Sequence, residues 1–145
     1  MDFHLTRIDR DLPMPAYQTP GSVAFDLYAR VETVIAPHAI GLVPTNIIVQ
    51  IPEGYALLVA PRSSAPSKKG LSIPHGIGIV DQDYRGPKDE VLAQFYNFTD
   101  APVTVARGER IAQALVTPVE RVALVEMELA TEVSRGGVGS TGGHS

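Results

Sequence analysis

Short apolar runs, each cut off by proline or glycine, set the rhythm of this 145-residue chain. Residues 22–29, 42–51, 55–60, 91–97, 103–106 and 111–117 are rich in β-branched and aromatic side chains, and each is predicted as a strand. Pro52-Glu53-Gly54 and Thr99-Asp100-Ala101-Pro102 lie between such runs and supply turns. With 12 prolines and 13 glycines, no long stretch is free of both before residues 119–134. Many short strands with frequent turns predict an all-β sandwich or jelly roll.

Two segments depart from that rhythm. Ser63-Ser64-Ala65-Pro66-Ser67-Lys68-Lys69-Gly70 offers capping hydroxyls, a proline near the first turn, two late lysines and a terminating glycine, which predicts one short helix. The apolar run from Pro74 to Asp81 contains Gly76 and Gly78, which predicts a hairpin whose backbone comes close to something flat.

Composition narrows the class. With 44% hydrophobic and 19% charged residues, the chain is an ordinary globular domain that should bury roughly 70% of its unfolded surface. There is no cysteine, so disulfides and thiolate metal sites are excluded. No apolar run approaches the roughly 20 residues that span a bilayer, and residues 1–10 lack a signal-peptide core. A cytoplasmic location is expected. The net charge of −4 argues against binding a nucleic-acid polymer, but a few local cations suffice for one nucleotide.

Three places carry candidate chemistry. Arg62 and Ser63 stand where a strand should turn into the short helix, with Lys68 and Lys69 behind. Free N–H groups at such a turn and a guanidinium fork suit phosphate oxygens, each charge-assisted contact contributing about 1.5–3 kcal/mol; a capped surface helix with solvated lysines fits the same residues. Asp81 follows the glycine-bearing run containing His75 and Gly78. Exposed backbone groups there suit the edge of a base, and an ionised aspartate can accept a proton from water; a plain hairpin with an acidic turn fits equally. The tail, residues 135–145, has the glycines, arginine and hydroxyls of a phosphate loop but no following helix. The four histidines are scattered without metal-ligand spacing, and no G-x-S-x-G elbow surrounds Ser63 or Ser64.

The order of these segments is more specific than any one of them. Ser22-Val23-Ala24-Phe25-Asp26-Leu27, Pro61-Arg62-Ser63-Ser64, the run from Gly78 to Gly86, Gly108-Glu109-Arg110-Ile111-Ala112-Gln113 and the run from Arg135 to Gly142 resemble the five ordered motifs of the trimeric dUTPases, over nearly the whole chain. The resemblance implies a jelly-roll homotrimer with shared active sites that hydrolyses dUTP to dUMP and pyrophosphate using Mg2+. It makes Asp81 the base that activates water and Tyr84 the floor under the deoxyribose that excludes a 2′-hydroxyl. Arg62, Ser63, Ser64 and Gln113 would hold the triphosphate, and His75 and Gly78 would line the base pocket. Asp26 would support the magnesium hydration shell without binding the metal. Residues 1–134 would form the domain and 135–145 a mobile arm, in which Arg135, Gly139, Ser140 and Thr141 meet phosphate and Val138 stands where the family has a base-covering phenylalanine.

The same resemblance supplies the rivals. A sister group that deaminates dCTP has a glutamate where Gln94 stands, and an amide cannot carry its proton. A non-catalytic dUTP-binding regulatory relative would keep the pocket without turnover. The residues between Gly86 and Asn97 run about two longer than the family's common form, which predicts a wider turn.

Overall fold

The computed structural model describes residues 1–128, 133–138 and 142. Among the described residues, eleven strands and one helical turn follow in order: β1 (His4–Arg7), β2 (Phe25–Tyr28), β3 (Thr33–Ile35), β4 (Ile40–Pro44), β5 (Ile47–Gln50), β6 (Tyr55–Pro61), the turn Ala65–Lys69, β7 (Leu71–Ser72), β8 (Gly78–Val80), β9 (Leu92–Asn97), β10 (Val103–Val105) and β11 (Arg110–Pro118). All pairings are antiparallel: β2-β11-β6-β8, β4-β9-β7, β1-β5 and β10-β3. Alternate residues point inward, so Leu27, Ile35, Val43, Val49, Leu57, Leu71, Phe95, Val105 and Ile111 meet in one core. This is the jelly-roll sandwich expected from the strand rhythm.

The structure alters the expectations in three places. The run 42–51 is not one strand: Thr45 and Asn46 make a corner, with Asn46 at φ 71. Asn46 Nδ2 donates to Asp9 O at 2.9 Å and its Oδ1 accepts from Asp9 N at 2.7 Å, so the left-handed residue is held by its own side chain. The predicted hairpin is instead a crossing between sheets. β7 pairs with β9 while β8 pairs with β6, because Leu71 and Ile73 are buried in the core on the way. The third concerns the short helix, a single π-type turn whose Ser64 makes no side-chain cap. Its stop is as expected: Gly70 takes φ 68, and its N–H bonds back to Ala65 O and Pro66 O.

The extra residues before β9 form a closed turn. Asp89 N donates to Gly86 O at 3.0 Å, and Asp89 Oδ2 accepts from Gly86 N at 2.6 Å.

Asn97, fully buried at the end of β9, ties the far corner together. Its Nδ2 donates to Ile35 O, Ala36 O and Ala101 O, and its Oδ1 accepts from Thr99 N and Oγ1. Asn97→Ala orphans buried carbonyls and is expected to lower the unfolding free energy by about 2–4 kcal/mol, measured by urea titration.

Candidate functional site

Asp26 is the centre of the first half of the site. On β2 its neighbours Phe25 and Leu27 face the core, so Asp26 faces outward, yet it is only 5% exposed. Arg62, just beyond β6, covers it from one side, with Nε 3.1 Å from Oδ1. Arg110, at the start of β11, covers it from the other, with Nη1 3.3 Å from Oδ2, and also donates to Gln18 Oε1 at 2.8 Å.

Strict alternation would put Arg110 and Gln113 on opposite faces of β11, since they are an odd number of residues apart. The register with β2 shifts between Arg110 and Ala112, and that bulge brings Arg110 to the face of Gln113. Gln113 stands directly opposite Asp26 and donates from Nε2 to Pro61 O at 3.0 Å. Beside this cluster lies a cleft of about 280 Å³ lined by Arg62, Ser64, Lys68, Lys69, Glu109 and Arg110. Lys69 pairs with Glu109 at 2.7 Å, which leaves the two arginines and Lys68 as the cations facing the cleft. Ser63 is exposed at the turn into the helix. A pocket of this charge suits a polyphosphate.

The second half is built on β8. Gly78 lies close against β6, where a Cβ would crowd Val59, 3.2 Å from its Cβ and 3.4 Å from its O. That close approach sets β8 on the edge of β6, in a sheet where β8 is the last strand. His75 lies beside Gly78 in a cleft of about 250 Å³ that also includes Leu42, Ile73, Leu92 and Gln94. The outer edge of β8 presents backbone N–H and C=O groups beside it. A neighbouring cleft of about 230 Å³ is lined by Ile79, Asp81, Tyr84, Val91 and Leu92. Asp81 is exposed. Tyr84 Oη donates to Glu90 O at 2.9 Å. Burial pushes the Tyr84 hydroxyl above its usual range, and the Asp89 and Glu90 carboxylates add to the shift, so it stays protonated and donating.

The two halves do not meet within one chain. Val80 stands opposite Leu57 near the start of β6, whereas Arg62 lies past its end. Asp81 and Arg62 are therefore separated by about six residues of strand, or about 20 Å. Asp26, Arg62, Ser63, Ser64 and Gln113 are brought together, and so are His75, Gly78, Asp81 and Tyr84. Arg135 and Val138 are exposed, while Gly139, Ser140 and Thr141 lie outside the described residues. Arg110 and Gln18 carry no assigned role in the sequence; Arg110 stood inside a motif, but only the bulge turns it to Asp26, and nothing in the sequence singles out Gln18. Among the described residues no group of three or more histidines, aspartates or glutamates is placed to hold a metal ion, and no helix is long and apolar enough to cross a membrane.

A family model described as dUTPase matches residues 10–142. A deoxyuridine 5'-triphosphate nucleotidohydrolase from Dictyoglomus turgidum is 43% identical over 144 residues, covering 95% of this chain and 96% of the relative. One from Mycolicibacterium vanbaalenii is 41% identical, covering 97% and 95%. Among solved structures, a dUTPase from Streptococcus mutans superposes with TM-score 0.76 at 32% identity, over 82% of this chain and 98% of that one. The Staphylococcus bacteriophage 80alpha dUTPase with dUPNHPP superposes with TM-score 0.84 at 23% identity, over 97% and 98%, a likeness of fold.

Removing the buried charge at Asp26 leaves two guanidinium groups facing one another. Asp26→Asn is expected to cost about 1–3 kcal/mol of stability, while Asp81→Asn at its exposed position changes stability by less than about 0.5 kcal/mol. Urea unfolding of the two variants checks the contrast.

Proposed function

The chain belongs to the dUTPase family, and we propose that it hydrolyses dUTP to dUMP and pyrophosphate in sites that combine residues from neighbouring copies of a homotrimer. The observation that carries this reading is the division of the site into a base-and-sugar half at β8 and a cationic half around Asp26, about 20 Å apart along β6. The attacked phosphorus has to lie within reach of both the base and the phosphate ligands, and hydrogen-bond reach is about 2.6–3.2 Å. One chain cannot supply both, whereas two copies can.

In this mechanism the free edge of β8 at Gly78 pairs with uracil, and a cytosine would set like groups against each other, a mismatch worth roughly 10⁴-fold. Tyr84 floors the deoxyribose. Asp81 takes a proton from the water that attacks the α-phosphorus; the bond to the bridging oxygen breaks, and pyrophosphate leaves into the cleft of Arg62, Ser63, Ser64 and Gln113, with Arg110 alongside. The donor set fits an ion carried in on the triphosphate rather than one caged by the protein, since Asp26 spends both carboxylate oxygens on arginines. Mg2+ on the triphosphate would supply further neutralisation of the leaving charge, and Asp26, by holding the arginines, supports its surroundings.

Residues 119–128 are exposed and mix charged with apolar side chains, among them Leu124 at 93% and Val125 at 81% exposed, as befits a segment laid across a second copy. The arm at 135–145 then reaches a neighbour's nucleotide, with Arg135 and, from the residues outside the description, Gly139, Ser140 and Thr141 on the phosphates. Val138 covers the base more weakly than an aromatic ring. The absence of cysteine fits a cytoplasmic setting.

Two measurements test the reading. Wild type should release pyrophosphate from dUTP with Mg2+, and Asp81→Asn should lose about 10²–10⁴-fold in kcat while still binding dUTP. Binding without turnover in the wild type would instead identify a regulatory module. Asp81→Asn and Arg62→Ala should each be inactive alone, and unfolding and refolding them together should restore activity, because some mixed trimers contain one site with both residues intact. No recovery from a mixture that sediments as a trimer would sink the shared site, and sedimentation as a monomer would sink the trimer.

A further inference from the structure

Arg30 has no part in the reaction described above, yet it makes a two-point contact with the foot of the Tyr84 loop. Its Nε lies 2.8 Å from Glu90 Oε1, and its Nη2 lies 2.9 Å from Glu90 Oε2. Glu90 is 9% exposed, and its Oε1 also accepts from Asn46 N at 2.9 Å. The next residue is fixed as firmly: Val91 N donates to Ile47 O at 2.9 Å, and Val91 O accepts from Thr45 N and from Thr45 Oγ1 at 2.6 Å. The acceptor of the Tyr84 hydroxyl, Glu90 O, is thus anchored to the β4–β5 corner through both its side chain and its neighbour.

From that anchor the loop returns to Tyr84 through the closed Gly86–Asp89 turn. The ring has only its two side-chain torsions to move, and the hydroxyl bond removes that freedom at its tip. We propose that the Arg30–Glu90 pair is a positioning device that holds the Tyr84 ring at the height which excludes a ribose 2′-hydroxyl, and so sets the sugar selectivity of the site. This rests on Tyr84 being the floor of the deoxyribose pocket. Without the guanidinium fork, the Glu90 carboxylate keeps only Asn46 N, and the Glu90 main chain is held from the Val91 side alone. Slack at Glu90 O lets the ring settle away from the sugar and weakens the exclusion of the extra oxygen.

The test compares kcat/KM for dUTP and UTP in the full-length trimer. Arg30→Met should lower the dUTP-to-UTP ratio by roughly ten-fold, about the value of one buried hydrogen bond, mainly through a lower KM for UTP. Arg30→Lys, which restores the charge but not the fork, should fall between Arg30→Met and wild type, and it decides the matter if Arg30→Met does not fold. Asn97→Ala, destabilised at the opposite corner, should keep the wild-type ratio. In a Tyr84→Phe background, where the link to Glu90 O is gone, Arg30→Lys should change the ratio no further. An unchanged ratio in both Arg30 variants, or the same loss with and without the Tyr84 hydroxyl, overturns the positioning role. If Tyr84→Ala itself leaves the ratio unaltered, the reading of Tyr84 as the sugar floor fails, and the proposal with it.

Discussion

A carboxylate that is 5% exposed has to be paired, and Asp26 is paired twice. That requirement organises the cationic end of the molecule. It draws Arg62 back from the end of β6 and Arg110 across from β11, and the β11 bulge is the backbone change that lets Arg110 reach it. Two guanidinium groups sharing one carboxylate keep a net positive charge, so the buried carboxylate is neutralised and the cluster retains a charge suited to phosphate. Lys69 is withdrawn from that role by Glu109, which confines the free charge to the mouth of the cleft. Stability and anion affinity here have the same source.

The other half follows a different rule. At β8 the groups available for recognition are backbone, and backbone can be exposed without penalty only at a sheet edge that water or a ligand can satisfy. Gly78 brings that edge tight against Val59, and the sheet ends there. A charged cup needs a buried countercharge and a base reader needs an open edge, and the sandwich provides these at opposite ends of the same strand. Under the proposed function, oligomerisation follows from that layout: the distance along β6 would be bridged by placing the end of one copy against the start of another.

Much of this was legible in the sequence. The runs at 55–60 and 111–117 became β6 and β11 because each is a mostly apolar run, with Tyr55 and Val59 in one and Ile111, Val116 and Thr117 in the other. β3 and β7, of three and two residues, are too short for a period to show, and β1 is an edge strand without a fully buried position. The break at Asn46 was hidden because an asparagine in a β-branched run shows nothing of its left-handed backbone until its partner Asp9 is known. The candidate residues were found through the order of their motifs, yet order along a chain contains no distance. That Asp81 and Arg62 stand apart, and that Arg110 joins Asp26, became visible only with strand register.

The polar network behind Tyr84 shows how an exposed reactive edge is kept still. Asp9 binds Arg107, whose guanidinium holds its carboxyl below the usual range, and Asp9 also exchanges hydrogen bonds with Asn46. Asn46 donates to Glu90, and Glu90 meets both Arg30 and the Tyr84 hydroxyl. Each member is satisfied by the next, and among the described residues no buried side-chain polar atom lacks a partner. Such a chain has few alternative arrangements, because moving one member orphans another at a cost of about 1–3 kcal/mol. The contrast with residues 119–128 is physical: that segment is exposed over its whole length, and Val122, Leu124, Val125 and Met127 are each at least 70% exposed. Rigidity is concentrated where the proposed mechanism has a sugar measured, and surface is left uncovered where the proposed second copy would cover it.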